Sequence, residues 1–146
     1  TVVITNQSGI ARGLINEEFL HHLHQTIHVR LASSGGGIDR YYYCPHFPEA
    51  KIERYRQTCQ CRKPAPGLIE QACREMGLDA SRSVMVGDRW LDVACGRAAG
   101  THTVLVRSGH GLSEADAPPP DDVRADAILN NLMEAVGWIL RRCSRS

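Results

Sequence analysis

Cys44-Pro45-His46, twelve further residues and then Cys59-Gln60-Cys61 constrain this chain more than any other feature. Three thiolates and one imidazole make a closed tetrahedral set that suits zinc. A filled set leaves no position for substrate, so the expected metal is structural. The loop between the two halves has too few apolar residues to bury a core of its own, and a metal would have to organise it. The competing reading is disulfides or unrelated thiols. The remaining cysteines fit that reading better: Cys73 and Cys95 fall on apolar helix faces as core thiols, and Cys143 sits in the closing tail.

With 42% hydrophobic and 23% charged residues in 146, the chain is expected to form one globular domain, 1–146, carrying a zinc loop at 44–61. A formal charge of +1 gives no overall field to hold nucleic acid or an anionic membrane, so any anion must be bound locally. The longest apolar run, Ala135 to Leu140, is far short of the roughly 20 residues that span a bilayer. These features lead us to expect a soluble, cytoplasmic protein. The chain opens on Thr1 and runs straight into Val2-Val3-Ile4, a buried-strand signature, so a segment is expected upstream.

Strands and helices alternate along the chain. Thr1 to Thr5 reads as a strand leaving through a polar loop, Asn6 to Gly9. Asn16 is placed to cap a helix with Glu17 and Glu18 in its first turn. Ile38 to Tyr43 reads as a second strand, Gly67 to Gly77 as a helix, Ser83 to Val86 as a strand and Leu91 to Ala99 as a small-residue helix. Thr101 to Val106 and Ala127 to Leu129 complete the strands, and a last helix lies near Leu132 to Leu140. Gly109 to Asp122, with three successive prolines, is expected to be a surface loop. The alternation implies a largely parallel sheet covered on both faces.

Several positions could carry chemistry. Arg62 and Lys63 follow the last presumed ligand, so a clamped loop would hold two cations at a fixed point, suited to a phosphate; on their own they read first as a solvated surface pair. Val86-Gly87-Asp88 puts a carboxylate at the carboxyl end of a strand, where open α/β sheets bind ligands. Asp88 could hold Mg²⁺ or cap the next helix, and Asp92 reads as support for the loop. Thr5-Asn6-Gln7-Ser8-Gly9 offers short polar groups after a strand. His21, His24 and His28 share one helix face, but with no carboxylate or thiol beside them they read as packing residues.

In combination, Thr5 to Gly13, Cys44-Pro45-His46 with Cys59 to Pro64, and Val86-Gly87-Asp88 through Asp92 resemble the zinc-loop phosphatases of the haloacid dehalogenase superfamily, which act on heptose bisphosphate or histidinol phosphate. The resemblance covers nearly the whole chain and tips Arg62 and Lys63 towards phosphate. The longer stretch between His46 and Cys59, the segment Ser8 to Gly13 and Val104 to Gly109 look like the heptose-bisphosphate branch. The implied fold is α/β: a three-layer, Rossmann-like parallel sheet of the haloacid dehalogenase type, lacking its N-terminal central strand and carrying a zinc-bound loop. The implied chemistry is Mg²⁺-dependent phosphoryl transfer to an aspartate, followed by hydrolysis.

By motif matching, the resemblance implies that Thr5 donates its hydroxyl to the transferring phosphoryl and Lys63 offsets the charge building on it. Asn6, Gln7, Ser8, Arg62 and Arg89 would contact substrate. Asp88 would ligate Mg²⁺, while Cys44, His46, Cys59 and Cys61 hold Zn²⁺. The partner is then a small sugar bisphosphate, with no nucleic acid or membrane, and the expected state is a monomer. The family's Asp-x-Asp-Gly-Thr motif is absent, and neither Asp39 nor Asp79 has the right surroundings. This chain alone is therefore expected to be inactive and poorly stable, since loss of a central strand leaves backbone groups unpaired. Two alternatives remain at this stage: a histidinol phosphate phosphatase, and a catalytically dead zinc-stabilised domain that binds a sugar phosphate or a protein.

Overall fold

A computed structural model describes residues 1–117, 119–120 and 123–143. The chain falls into two compact units, Thr1–Arg62 and Lys63–Ser146. No helix among the described residues is long and apolar enough to cross a membrane.

The first unit holds β1 (Val2–Asn6), the single turn α1 (Ser8–Ala11), α2 (Glu17–Ala32), β2 (Arg40–Cys44) and a 3₁₀ turn at Glu53–Tyr55. β1 and β2 pair in parallel, with Thr5 opposite Tyr43 and Asn6 opposite Cys44. Asn16 caps α2 as its sequence suggests: its side chain accepts from Phe19 N–H at 2.8 Å, satisfying one of the free donors of the first turn. The core is Ile10, Ala11 and Leu20, closed over by Ala50 and Tyr55 from the long segment, with Phe47 and Ile52 beside them. Thus the loop between the Cys/His pairs does not lack apolar anchors. They join one cluster with residues of α1 and α2.

The second unit holds α3 (Gly67–Met76), a 3₁₀ turn at Ala80–Arg82, β3 (Val84–Gly87), α4 (Trp90–Ala98), β4 (His102–Val106), α5 (Gly111–Asp116), β5 (Ala127–Leu129) and α6 (Leu132–Cys143). Its three strands are parallel in the order β3-β4-β5. Successive side chains of β4 point to opposite faces. Leu105 packs with Trp90 and Val93 on one side, and Val104 and Val106 pack with Ala135 and Trp138 on the other. Helices on both faces explain why β4 ends in the unbroken apolar run Val104-Leu105-Val106.

The strands are parallel, as expected, and form two sheets, one of β1 and β2 and one of β3, β4 and β5. Two expectations need correction. Asn6 to Gly9 is not a loop: β1 runs through Asn6, and Ser8–Ala11 makes a helical turn. Within Gly109 to Asp122, residues Gly111–Asp116 are helical, and glycine is required at Gly111 because the Val106 carbonyl lies 1.7 Å from where its Cβ would sit. Pro118, Asp121 and Asp122 of that stretch lie outside the described residues, as do Ser144 to Ser146 of the tail.

Gly87, at the end of β3, is forced by a second close approach. A Cβ there would stand 2.3 Å from the Asp92 Cβ. Gly87→Ala is expected to destabilise the protein by roughly 1–3 kcal/mol through overpacking. Urea unfolding measures this, and an unchanged midpoint would show that α4 can move away at no cost.

Candidate functional site

Each unit gathers its polar residues at the carboxyl end of its own sheet, the edge where open α/β sheets bind ligands. In the first unit, Cys44 ends β2 opposite Asn6, so the thiol cluster and the Thr5 to Ser8 segment share one edge. Gln7 N–H donates to the Cys44 carbonyl at 2.8 Å, and the Gln7 side-chain amide donates to Thr5 Oγ1 at 3.2 Å. These bonds hold Thr5, Asn6, Gln7 and Ser8 half-buried along that edge.

The four presumed zinc ligands converge. One donor atom from each of Cys44, His46, Cys59 and Cys61 lies within 4.8 Å of all the others. The sulfurs stand 3.5 Å (Cys44–Cys59), 3.1 Å (Cys44–Cys61) and 3.2 Å (Cys59–Cys61) apart, and His46 Nδ1 is 3.3 Å from Cys61 Sγ. Zinc–sulfur bonds of about 2.3 Å would set tetrahedral edges near 3.8 Å, so the four atoms form a slightly contracted tetrahedron. Burial pushes the Cys44 and Cys61 thiols up, and crowding by neighbouring thiols raises Cys61 further. Burial also works against Cys59, but hydrogen bonds from Cys61 and Cys44 outweigh it, and its thiol is lowered. A dication at the centre would remove the conflict among the three sulfurs, so the donor set fits Zn²⁺. All six cysteines are free thiols, and Cys95 is a core thiol whose Sγ–H donates to the Ala65 carbonyl at 3.3 Å.

Arg62 is held close to this cluster. Its Nη1 donates to the His46 carbonyl at 3.1 Å, and its guanidinium lies 5.2 Å from the centre of the Phe47 ring. Arg12 lies over the same ring at 4.6 Å. That second cation follows the Thr-Asn-Gln segment and was not among the sequence candidates; only the ring stacking reveals it.

In the second unit, Asp88 follows β3. Its Oδ2 accepts from His110 N–H at 2.9 Å, and Oδ1 carries no hydrogen bond among the described residues. A hard cation needs one or two carboxylates with water and substrate phosphate, which this oxygen satisfies, so Asp88 fits Mg²⁺. Arg89 is exposed at the start of α4. Lys63 Nζ stands 2.5 Å from Asp92 Oδ1, with side-chain exposures of 11% and 6%, while Asp92 Oδ2 accepts from Arg89 N–H at 3.2 Å. Asp92 therefore supports the loop and fixes Lys63 rather than facing a metal.

Glu17 plays a part that its sequence position does not reveal. It accepts from Tyr43 Oη at 2.6 Å and from Tyr55 Oη, joining α2 to β2 and to the zinc loop. The hydrogen bond from Tyr43, then that from Tyr55, holds its carboxyl below the ordinary value of 4.5. Burial and the Glu17 bond push Tyr43 up to about 12. Because the folded value is lowered, this stabilisation is fully present above 4.5 and is lost as pH falls through the folded value. The stability gap between wild type and Glu17→Gln should therefore shrink below pH 4.5 in denaturant titrations. A gap that is the same at all pH values would show that the clamp does not depend on the carboxylate charge. The helix histidines build no metal site: His24 stacks on Tyr41 with ring centres 4.2 Å apart, and the Cys44 cluster is the metal-ligand group found among the described residues.

Comparison with known proteins places this arrangement. The HAD-hydrolase-like family profile matches residues 60–135, more than half of the chain. The D-glycero-β-D-manno-heptose-1,7-bisphosphate 7-phosphatase of Haemophilus ducreyi is 39% identical over 140 residues, spanning 94% of this chain and 74% of that protein. The chain belongs to the haloacid dehalogenase-like hydrolases. A second relative in this hydrolase family, the enzyme of the same name from Yersinia pestis, is 40% identical over 91% of this chain and 69% of its own. Among solved structures, the D,D-heptose 1,7-bisphosphate phosphatase from B. bronchiseptica complexed with magnesium and phosphate matches with a TM-score of 0.81 and 32% identity. It covers 97% of this chain and 74% of that one. The parallel α/β fold expected from the sequence is thus that of the hydrolase family.

Proposed function

We propose that this chain belongs to a cytoplasmic phosphatase that removes the 7-phosphate of D-glycero-D-manno-heptose 1,7-bisphosphate through an aspartyl-phosphate intermediate, in the supply of activated heptose for the lipopolysaccharide core. One observation supports the reading most: three thiolates and an imidazole converge immediately before Arg62, whose guanidinium is held by the His46 carbonyl and the Phe47 ring. Relatives about 40% identical that bear the heptose-bisphosphate name support the substrate.

In this reading each side chain has a defined task. Thr5 donates its hydroxyl to a phosphoryl oxygen, and Asn6, Gln7 and Ser8 line the sugar phosphate beside it. Lys63, oriented by Asp92, holds positive charge where negative charge develops on the phosphoryl group, a preorganised arrangement that needs no reorientation during reaction. Arg62 offers its fork to the second phosphate, steadied by the His46 carbonyl and the Phe47 ring, and Arg89 reaches substrate from the start of α4. Asp88 would hold Mg²⁺, which when bound supplies Lewis-acid stabilisation of the phosphate oxygens. Zn²⁺ on Cys44, His46, Cys59 and Cys61 would supply rigidity alone. The sequence contains no Asp-x-Asp-Gly-Thr, so the nucleophile and the general acid/base are not among the tasks assigned to these residues.

The test is phosphate release by the protein purified from its source cells, with heptose bisphosphate and histidinol phosphate compared side by side. The expected outcome is a kcat/KM at least about tenfold higher for the bisphosphate, because a second phosphate contact is available only there. Equal or faster turnover of histidinol phosphate would overturn the substrate assignment.

A further inference from the structure

At the opposite, amino-terminal edge of the three-stranded sheet lies a cavity of 530 Å³. Val84 and His102 form its floor, paired across the β3-β4 ladder at the first position of each strand. Ser81 and Arg82 of the 3₁₀ turn wall one side, and Ile139 and Arg142 of α6 wall the other. Asp88 follows the far end of β3, and four residues of strand rise about 13 Å, so this cavity is separate from the carboxyl-edge site.

Its lining carries two guanidinium groups and an imidazole, with no carboxylate among the described lining residues. Two carboxylates stand nearby, each with partners of its own, and exposed Asp79 also feels the charge of Arg82. Asp126 Oδ2 accepts from Thr103 N–H at 2.7 Å and stands 3.6 Å from His102 Nδ1, and its Oδ1 is 3.9 Å from Arg97. Asp79 accepts from the Ser81 N–H and hydroxyl at 2.9 and 2.7 Å. Arg142 is held in place from two directions. Its Nη2 lies 3.0 Å from His102 Nε2, and its guanidinium packs 4.9 Å from the centre of the Trp138 ring. A chain of contacts from Asp126 through His102 thus positions a cation at the cavity, in a protein whose net charge is only +1.

We propose that this cavity is a second anion site that takes a phosphate monoester of metabolite size. Two arginine forks match the dianion, and Val84 and Ile139 give its carbon body an apolar wall. The volume falls within the range of about 300–1,000 Å³ typical of small-molecule sites. The proposal stands independently of the phosphatase reading, because none of its residues is used there.

The test is a titration of the metal-loaded protein with inorganic phosphate and then glycerol phosphate, followed by amide resonances at the two edges of the sheet. Saturable shifts are expected at Val84, His102 and Ile139. Arg82→Ala and Arg142→Ala should weaken that binding by about tenfold, Arg82→Lys and Arg142→Lys should weaken it less, and Asp88→Asn should leave it unchanged. The lysine variants keep the charge, and Arg82 is exposed, so a folded protein is available for the comparison. Shifts confined to Gly87 and Gly109, or shifts at His102 that survive both alanine substitutions unchanged, would overturn the proposal.

Discussion

Cys61→Ser is expected to strip the protein of its tightly bound metal and to open the segment between Arg56 and Arg62 to trypsin. Cys61 Sγ is the point where the cluster closes, at 3.1 Å from Cys44, 3.2 Å from Cys59 and 3.3 Å from the His46 ring. Structural zinc sites contribute about 10–16 kcal/mol of apparent binding energy in isolated zinc fingers, as much as the whole stability of many domains. Here part of the loop has another anchor. Ala50 and Tyr55 are buried against Ile10 and Leu20, and Glu17 holds Tyr55. Metal loss should therefore free the stretch after Tyr55 first, while Phe47 to Tyr55 stays docked.

Three measurements follow for the same variant. Metal content should fall from one zinc per chain to none, and limited trypsin digestion should cut after Arg56 and Arg62. In the protein purified from its source cells, phosphate release should drop by a factor of roughly 10–100, because Arg62 loses the carbonyl and the ring that orient it. A chelator should reproduce all of this in the wild type and add nothing in Cys61→Ser. Full retention of trypsin resistance by the metal-free protein would mean that the apolar anchors alone organise the loop.

Those anchors show where reading the sequence stops. The ligand set is legible because soft donors at short spacing have few other uses, and the same holds for the Asn16 cap and for a carboxylate after Val86-Gly87, which are local signals. Contacts that join distant positions leave no such trace. Glu17 looks like an ordinary acidic residue in a first helical turn, yet its partners are Tyr43 and Tyr55, 26 and 38 positions away. The segment Gly109 to Asp122 reads as a loop from its three successive prolines. Its residues Gly111–Asp116 are helical because Glu114 is tied into the core edge, accepting from Trp90 N–H at 2.8 Å and, through its carbonyl, from Trp90 Nε1–H at 2.7 Å. A parallel sheet could be anticipated from alternating elements, but its division between two units could not, since alternation says nothing about which strand pairs with which.

Lys63→Met should be the most damaging substitution in the second unit, costing about 3–5 kcal/mol in urea unfolding as well as abolishing turnover. The reason is what it leaves behind. Asp92 is 4% exposed, and removing the cation 2.5 Å away strands a carboxylate in a place where water cannot replace it. Adding Asp92→Asn removes the stranded charge while an amide oxygen can still accept from Arg89 N–H. The double variant should therefore recover most of the lost stability without recovering activity, because the cation that serves the phosphoryl group is still gone. This separates the two roles of the lysine. If Lys63→Met alone changes stability by less than about 0.5 kcal/mol, the pair behaves as a solvated surface contact and Asp92 does not position the lysine.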